Sequence, residues 1–252
     1  MTSQKTSLVP RIISASLLGA LTLVASVAQS ANINWGAPTQ ISGAGDVSTN
    51  GTLVGAFNVG GTGVPSTVVN GVTFQSFATT GGNGSSGNFT TVGSGFVGQS
   101  NTSGGSASAP FSALPAVYQT LLQSYSTPFG GMITMTISGL TIGAQYQFQL
   151  WSNLSSDSFN YQLTATAGNS VTLDSNSARA AGGLGQWVIG SFTADATAQT
   201  ITFAGDGDGG ALNAFQLRQL QPTQGVPDTG STLAFLGLAM SGMAVARRKL
   251  RA

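Results

Sequence analysis

The sequence predicts an all-β fold, an antiparallel β-sandwich with one short helix, lying between two terminal segments that are addresses and not fold. Three observations carry the prediction. Apolar residues alternate with Thr, Ser and Gln in several short runs, the period of a half-buried strand. Glycine, at 36 of 252 residues, falls between those runs, so the strands are short and the turns frequent. Only one stretch has helical spacing.

At the N-terminus Lys5 and Arg11 precede an apolar run over residues 12–27 (IISASLLGALTLVASV), and small residues follow at A-x-A-like spacing. Residues 1–30 therefore read as a secretory signal peptide cleaved after Ala28 or Ser30, the alternative being an uncleaved anchor. Residues 31–225 then form one domain with ample length for a core. It contains no cysteine, histidine or glutamate. Disulfides, thiolate metal sites and every Ser-His or Cys-His mechanism are excluded, and a glycosidase pair would have to be two aspartates. Six of the eight cations lie in the terminal segments; between them Arg179 and Arg218 face six aspartates, a net charge of about −4. That is no nucleic-acid footprint.

Within the domain, alternation runs through Ile133, Met135 and Ile137, then Tyr146, Phe148 and Leu150, then 186–192, 200–203 and 213–217. Turns are predicted at Ser138-Gly139, at 167–169 and at 205–210. The polar faces are Thr, Gln and Ser, not Lys and Glu, which suits contact with neutral polar material. Leu114, Val117, Tyr118, Leu121, Leu122 and Tyr125 share one helical face. Ser112 is the expected cap and Pro115 sits in the first turn, the helix plugging an end or edge of the sandwich. Residues 79–109 are dominated by Gly, Ser, Asn and Thr, which leaves low-complexity disorder open there, against a long loop or irregular strands tacked down by Phe89, Val92, Phe96 and Val97.

The C-terminal segment, residues 226–252, is tripartite: VPDTGS, an apolar run over 232–246, then RRKLR. Fifteen residues at about 1.5 Å each span about 22 Å, barely enough with flanks for a core of about 30 Å. Arg247, Arg248, Lys249 and Arg251 would hold their end in the cytoplasm. This tail resembles the PEP-CTERM sorting domain in its VPDSG/VPDTG-like variant, with Val226, Pro227, Asp228, Thr229 and Gly230 as the motif. The resemblance implies export to the cell envelope or beyond, a transient inner-membrane anchor, and an exosortase-type membrane protease as partner. Asp228 and Thr229 depart from the commoner V-P-E-P. A plain membrane helix without processing is the alternative. Segments 41–57, 69–74, 138–150 and 212–218 also resemble PEP-CTERM cargo domains. That likeness implies a jelly-roll akin to galactose-binding and carbohydrate-binding modules.

Candidate sites are few. Asp206 and Asp208, on a Gly loop with Asn213 nearby, have the oxygen chemistry of a weak calcium site, but a solvated hairpin turn is the first reading. Asp46 reads first as a turn or cap carboxylate and second as a calcium ligand. Trp151 has the parity opposite to Tyr146, Phe148 and Leu150, so it is expected to turn outward with the glutamines, where the glycan-platform reading, with Asp157 as a polar partner, comes second to a plainer one. The plainer reading is a tryptophan covering the sandwich edge. No metal, cofactor or catalytic residue is expected. The functional expectation is a structural or interaction protein of the envelope or extracellular polysaccharide matrix; the alternatives are a carbohydrate-binding module and, more remotely, an aspartate-only hydrolase.

Overall fold

The computed structural model describes residues 30–93, 96–98, 105–128, 130–156, 158–206 and 209–221. The elements in chain order are β1 (Asn34–Trp35), β2 (Thr39–Gln40), β3 (Thr52–Gly60), β4 (Thr67–Val69), β5 (Val72–Ala78), β6 (Gly84–Ser86), β7 (Phe89–Gly93) and β8 (Phe96–Gly98). A 3-10 turn (Phe111–Ala113) and the helix α1 (Ala116–Gln123) follow. The remainder is β9 (Ser126–Pro128), β10 (Met132–Ser138), β11 (Gln145–Ser152), β12 (Gln162–Ala167), β13 (Asn169–Asp174), β14 (Gln186–Thr193), β15 (Ala198–Gly205) and β16 (Ala214–Gln219).

Two sheets form the sandwich. One has eight strands in the order β1-β14-β11-β16-β3-β5-β4, with β2 also on β14; the other has six in the order β13-β12-β15-β10-β7-β6. Pairing is antiparallel as expected, with one exception: β3 and β5 run parallel, Phe57 opposite Gln75. The chain between them is long enough for a crossover and contains β4, which returns antiparallel onto β5. Gly168, at φ 70°, makes the tight β12–β13 turn anticipated at 167–169.

The alternating apolar residues meet between the sheets. Phe57, Phe77, Phe148 and Phe215 from the larger sheet pack on Phe89, Ile133, Met135, Leu163, Ile201 and Phe203 from the smaller. Phe57 and Phe89 are edge-on at 5.0 Å, and Phe148 lies stacked on Phe215 at 5.8 Å. Such pairs add about 0.5–1.5 kcal/mol each beyond the area they bury. Gly190 makes room for β1: a Cβ there would collide with Ile33 and Trp35.

Within residues 79–109 the described parts include the strands β6 and β7 of the smaller sheet. Strand β7 is an interior strand, paired with β6 and β10, and Phe89 is fully buried. One well-placed phenylalanine and cross-strand threonines outweigh the glycine content.

The helix departs from expectation in two ways. Its N-cap is Pro115, whose carbonyl receives the N–H groups of Tyr118 (2.8 Å) and Gln119 (3.0 Å), while Ser112 belongs to the preceding 3-10 turn. Leu114 is extended at ψ 153°, as a residue before proline prefers, so the two turns cannot merge. The helix also covers a face and not an end. Tyr118, Leu121 and Leu122 join Ile41, Val47 and Phe111 against Phe74, Trp151 and Ala214 on the outer side of the eight-stranded sheet. At its central strands β11 and β16 that sheet is buried on both faces.

Candidate functional site

Trp151 does project to the face opposite Phe148 and Leu150, but it is not exposed. It is completely buried under α1, edge-on to Phe74 at 5.7 Å, and its Nε1–H donates to Tyr118 Oη at 3.0 Å. The parity reading holds and the platform reading fails, because the helix's apolar stripe needs an apolar partner and finds it there. Tyr118 in turn donates to Asp46 Oδ2 at 2.9 Å. Asp46 also accepts from Ser42 N and Oγ and from Gly43 N, the cap role expected of it. Burial first, and then the Asp46 carboxylate, push the Tyr118 phenol far above its ordinary range.

The glutamines of β11 divide. Gln145 is exposed, but Gln147 and Gln149 are buried. Gln149 donates to Asp46 O (2.6 Å) and accepts from Ser48 N (3.0 Å) and Gln216 Nε2 (2.7 Å). Gln147 Nε2 is buried with no partner among the described residues. Arg218, across from Gln147, clasps the 49–51 loop: its guanidinium donates to the carbonyls of Thr49, Asn50 and Gly51 and to Gln216 Oε1. Desolvation lowers its pKa from the ordinary value.

Asn213 is no loop ligand. It is fully buried, takes Asn153 N at 2.6 Å on Oδ1, and gives Nδ2 to the carbonyls of Leu122 and Ser124. Asp206 accepts the Gln162 N–H at 2.7 Å and bridges to Gly209, which makes it a turn carboxylate in this geometry. Among the described residues no three carboxylate, imidazole or thiol groups cluster to hold a metal. Asp157, Asp208, the signal segment 1–29 and the sorting segment 226–252 lie outside the described residues. No helix among the described residues is long and apolar enough to cross a membrane.

Among the described residues, the outer face of the six-stranded sheet is left open. One row across it reads Ser170, Thr166, Thr202, Thr134, Val92; the next reads Thr200, Thr136, Thr90, Ser85. Cross-strand hydroxyl pairs Thr164–Thr172 and Thr166–Ser170 are each at 2.9 Å. Strand geometry spaces these side chains about 4.8 Å across the sheet and about 6.8 Å along it. Neither row contains a charge. The threonine alternation in the sequence anticipated this surface.

At the β12–β13 end the face runs into a corner that sequence reasoning missed. Asp174 Oδ1 accepts from Asn160 Nδ2 (2.9 Å) and Gln162 Nε2 (3.1 Å). Beside these residues Phe159 is 63% exposed, its ring 6.0 Å from that of Tyr161 at a 36° tilt. The available signal was an F-N-Y-Q run just ahead of a strand, in which no periodicity requires the Phe for the core.

Residues 225–250 match the family model of the VPDSG-CTERM motif. No curated protein matches the chain. Among solved structures, one from work described as the structural basis for the promiscuous specificity of the carbohydrate-binding modules from the β-sandwich superfamily is similar, at 13% identity, over 73% of this chain and 97% of that one. Its TM-score is 0.17, so the likeness supports neither fold nor ligand, and the sandwich stands on its own strand pairing.

Proposed function

We propose, from the premise that this chain carries a VPDSG-CTERM sorting signal and so is a secreted, envelope-associated protein, that its domain is a non-catalytic interaction module for neutral polysaccharide of the envelope or extracellular matrix. On this reading an exosortase-type enzyme removes the tail, and the jelly-roll-like sandwich is presented outside.

The observation that supports the reading is the hydroxyl face. Threonine offers one donor, two acceptor lone pairs and a methyl group. A flat array of such groups meets the hydroxyls and C–H faces of a neutral glycan without desolvating a charge. An acidic polymer would gain nothing there, and the domain's net negative charge would repel it.

The test is co-sedimentation of the exported protein with insoluble cellulose and with cross-linked alginate. Retention on cellulose and not on alginate is expected. Thr202→Glu, at the centre of the face, should reduce it several-fold, whereas Thr193→Glu on the other sheet should not. Equal retention of wild type and Thr202→Glu would reject the face as the contact.

A further inference from the structure

We propose that the corner formed by Phe159, Tyr161, Gln162 and Asp174 is a subsite for a single pyranose ring of a neutral glycan. It rests on the polysaccharide reading above and adds to it an anchoring point with its own chemistry.

Three features converge there. Phe159 keeps most of its surface in water, and its ring lies beside a second aromatic. An apolar ring left in water carries a hydrophobic cost that burial against a ligand would recover, and the apolar face of a pyranose, with its axial C–H bonds, is such a surface. Beside the rings stands Asp174, partly buried at the end of β13. Its Oδ1 is held by two amide donors, Asn160 and Gln162, which fix the carboxylate in place before any ligand arrives. The remaining acceptor capacity of that carboxylate suits ring hydroxyls, which are donors, and hydrogen bonds to an ionised acceptor are the stronger kind. Finally, Gln162 and Asp174 are opposite one another on the strands that supply Thr164, Thr172, Thr166 and Ser170. A glycan with one ring at the corner can therefore continue over the hydroxyl rows. A carboxylate at the site also selects against uronic acids.

The experiment is saturation-transfer NMR on the full-length chain in micelles of a detergent without a sugar headgroup. The probes are cellotetraose, maltotetraose, xylotetraose and a tetra-uronate. Saturation of the protein should reach ring C–H protons of at least one neutral tetrasaccharide, and not the uronate. Phe159→Ala should weaken that binding about tenfold or more, with an unchanged melting temperature because the residue is exposed. Phe159→Trp should keep the binding. Asp174→Asn should also weaken it about tenfold, the range expected for a lost charge-assisted hydrogen bond. No transfer to any neutral probe would overturn the subsite, as would transfer to the uronate alone or equal affinity in Phe159→Ala. A Phe159→Ala effect confined to self-association, read by sedimentation, would also overturn it and assign the ring to a contact between copies. Thr193→Glu, exposed on the other sheet, should leave tetrasaccharide binding intact. Cellulose retention unchanged in Thr202→Glu, with the tetrasaccharide bound by wild type and lost in Phe159→Ala, would reject the face and leave the corner standing.

Discussion

Gln147 and Gln149 sit two residues apart on the same face of β11 and are held in opposite ways. Gln149 joins Asp46, Ser48 and Gln216 in one hydrogen-bonded set, so Gln149→Leu strands several groups and should cost about 2–4 kcal/mol. Gln147 leaves its amide nitrogen unpartnered among the described residues, so Gln147→Leu removes a buried polar group that gains nothing and should raise stability by about 1 kcal/mol. Urea unfolding of the two variants, compared at constant m-value, checks the opposite signs. Tyr118 makes a second case. Its phenol titrates higher in the folded chain than in the unfolded one, which ionises near about pH 10. Below that pH both states keep the proton and the contribution is fully present. Above it the unfolded chain releases a proton the folded chain retains, so stability falls as pH rises, by about 1.4 kcal/mol per unit. Tyr118→Phe should cost about 1–3 kcal/mol at neutral pH, by leaving Trp151 Nε1 unpartnered and taking one donor from Asp46, which keeps Ser42 and Gly43, and should flatten the loss above about pH 10. Melting temperatures of both proteins from pH 8 to 11.5 decide this.

At the scale of elements, the packing of α1 explains both what the sequence showed and what it concealed. Strands β10, β11, β14, β15 and β16 were legible because period-two alternation reports burial on at least one face. The helical stripe Tyr118, Leu121, Leu122 was legible for the same reason at a different period, though the spacing also enrolled Leu114, which is extended. What local pattern does not encode is which surface an apolar stripe will cover. Trp151 read as outward because its neighbours Gln147 and Gln149 looked like a solvent face; all three lie in a layer closed by α1 and the 41–50 segment. The parallel pairing of β3 with β5 was concealed too, since register between distant strands leaves no local trace. The aromatic corner escaped because exposure of a lone Phe is decided by the loop, not by periodicity. If α1 is the lid of the second core, Leu121→Ala should cost about 2–5 kcal/mol and raise Trp fluorescence quenching by acrylamide, as Trp151 becomes reachable. Loss of stability without added quenching would place the damage elsewhere than the lid.

For the molecule as a whole, the distribution of charge separates the cargo from its addresses. The domain is acidic and nearly free of cations, whereas Arg247, Arg248, Lys249 and Arg251 crowd the last six residues and Lys5 and Arg11 flank the first apolar run. On the export reading the mature chain begins at Gln29 or Ala31, which intact-mass measurement of exported protein tests directly; Met1 retained there would be incompatible with it. The C-terminal segment makes the stronger prediction, because its parts should fail in different ways. On the same export reading, the apolar run 232–246, short and rich in Gly, Ala and Ser, would hold a bilayer only marginally and would depend on the basic cluster to stop translocation and fix orientation. On the processing reading, Pro227 and Gly230 are the residues whose backbone preferences disfavour helix and strand and so would suit a protease cleft. Deleting residues 232–252 should then release unprocessed domain to the outside. Pro227→Ala should instead leave full-length chain in the membrane fraction, since the anchor persists while the cleavage segment loses its fixed geometry. Immunoblotting of membrane and external fractions against an epitope beside Asp195 and another at Arg251 separates the outcomes. Wild-type protein that keeps the Arg251 epitope in a host with an active exosortase would show that the tail only anchors and is not cut.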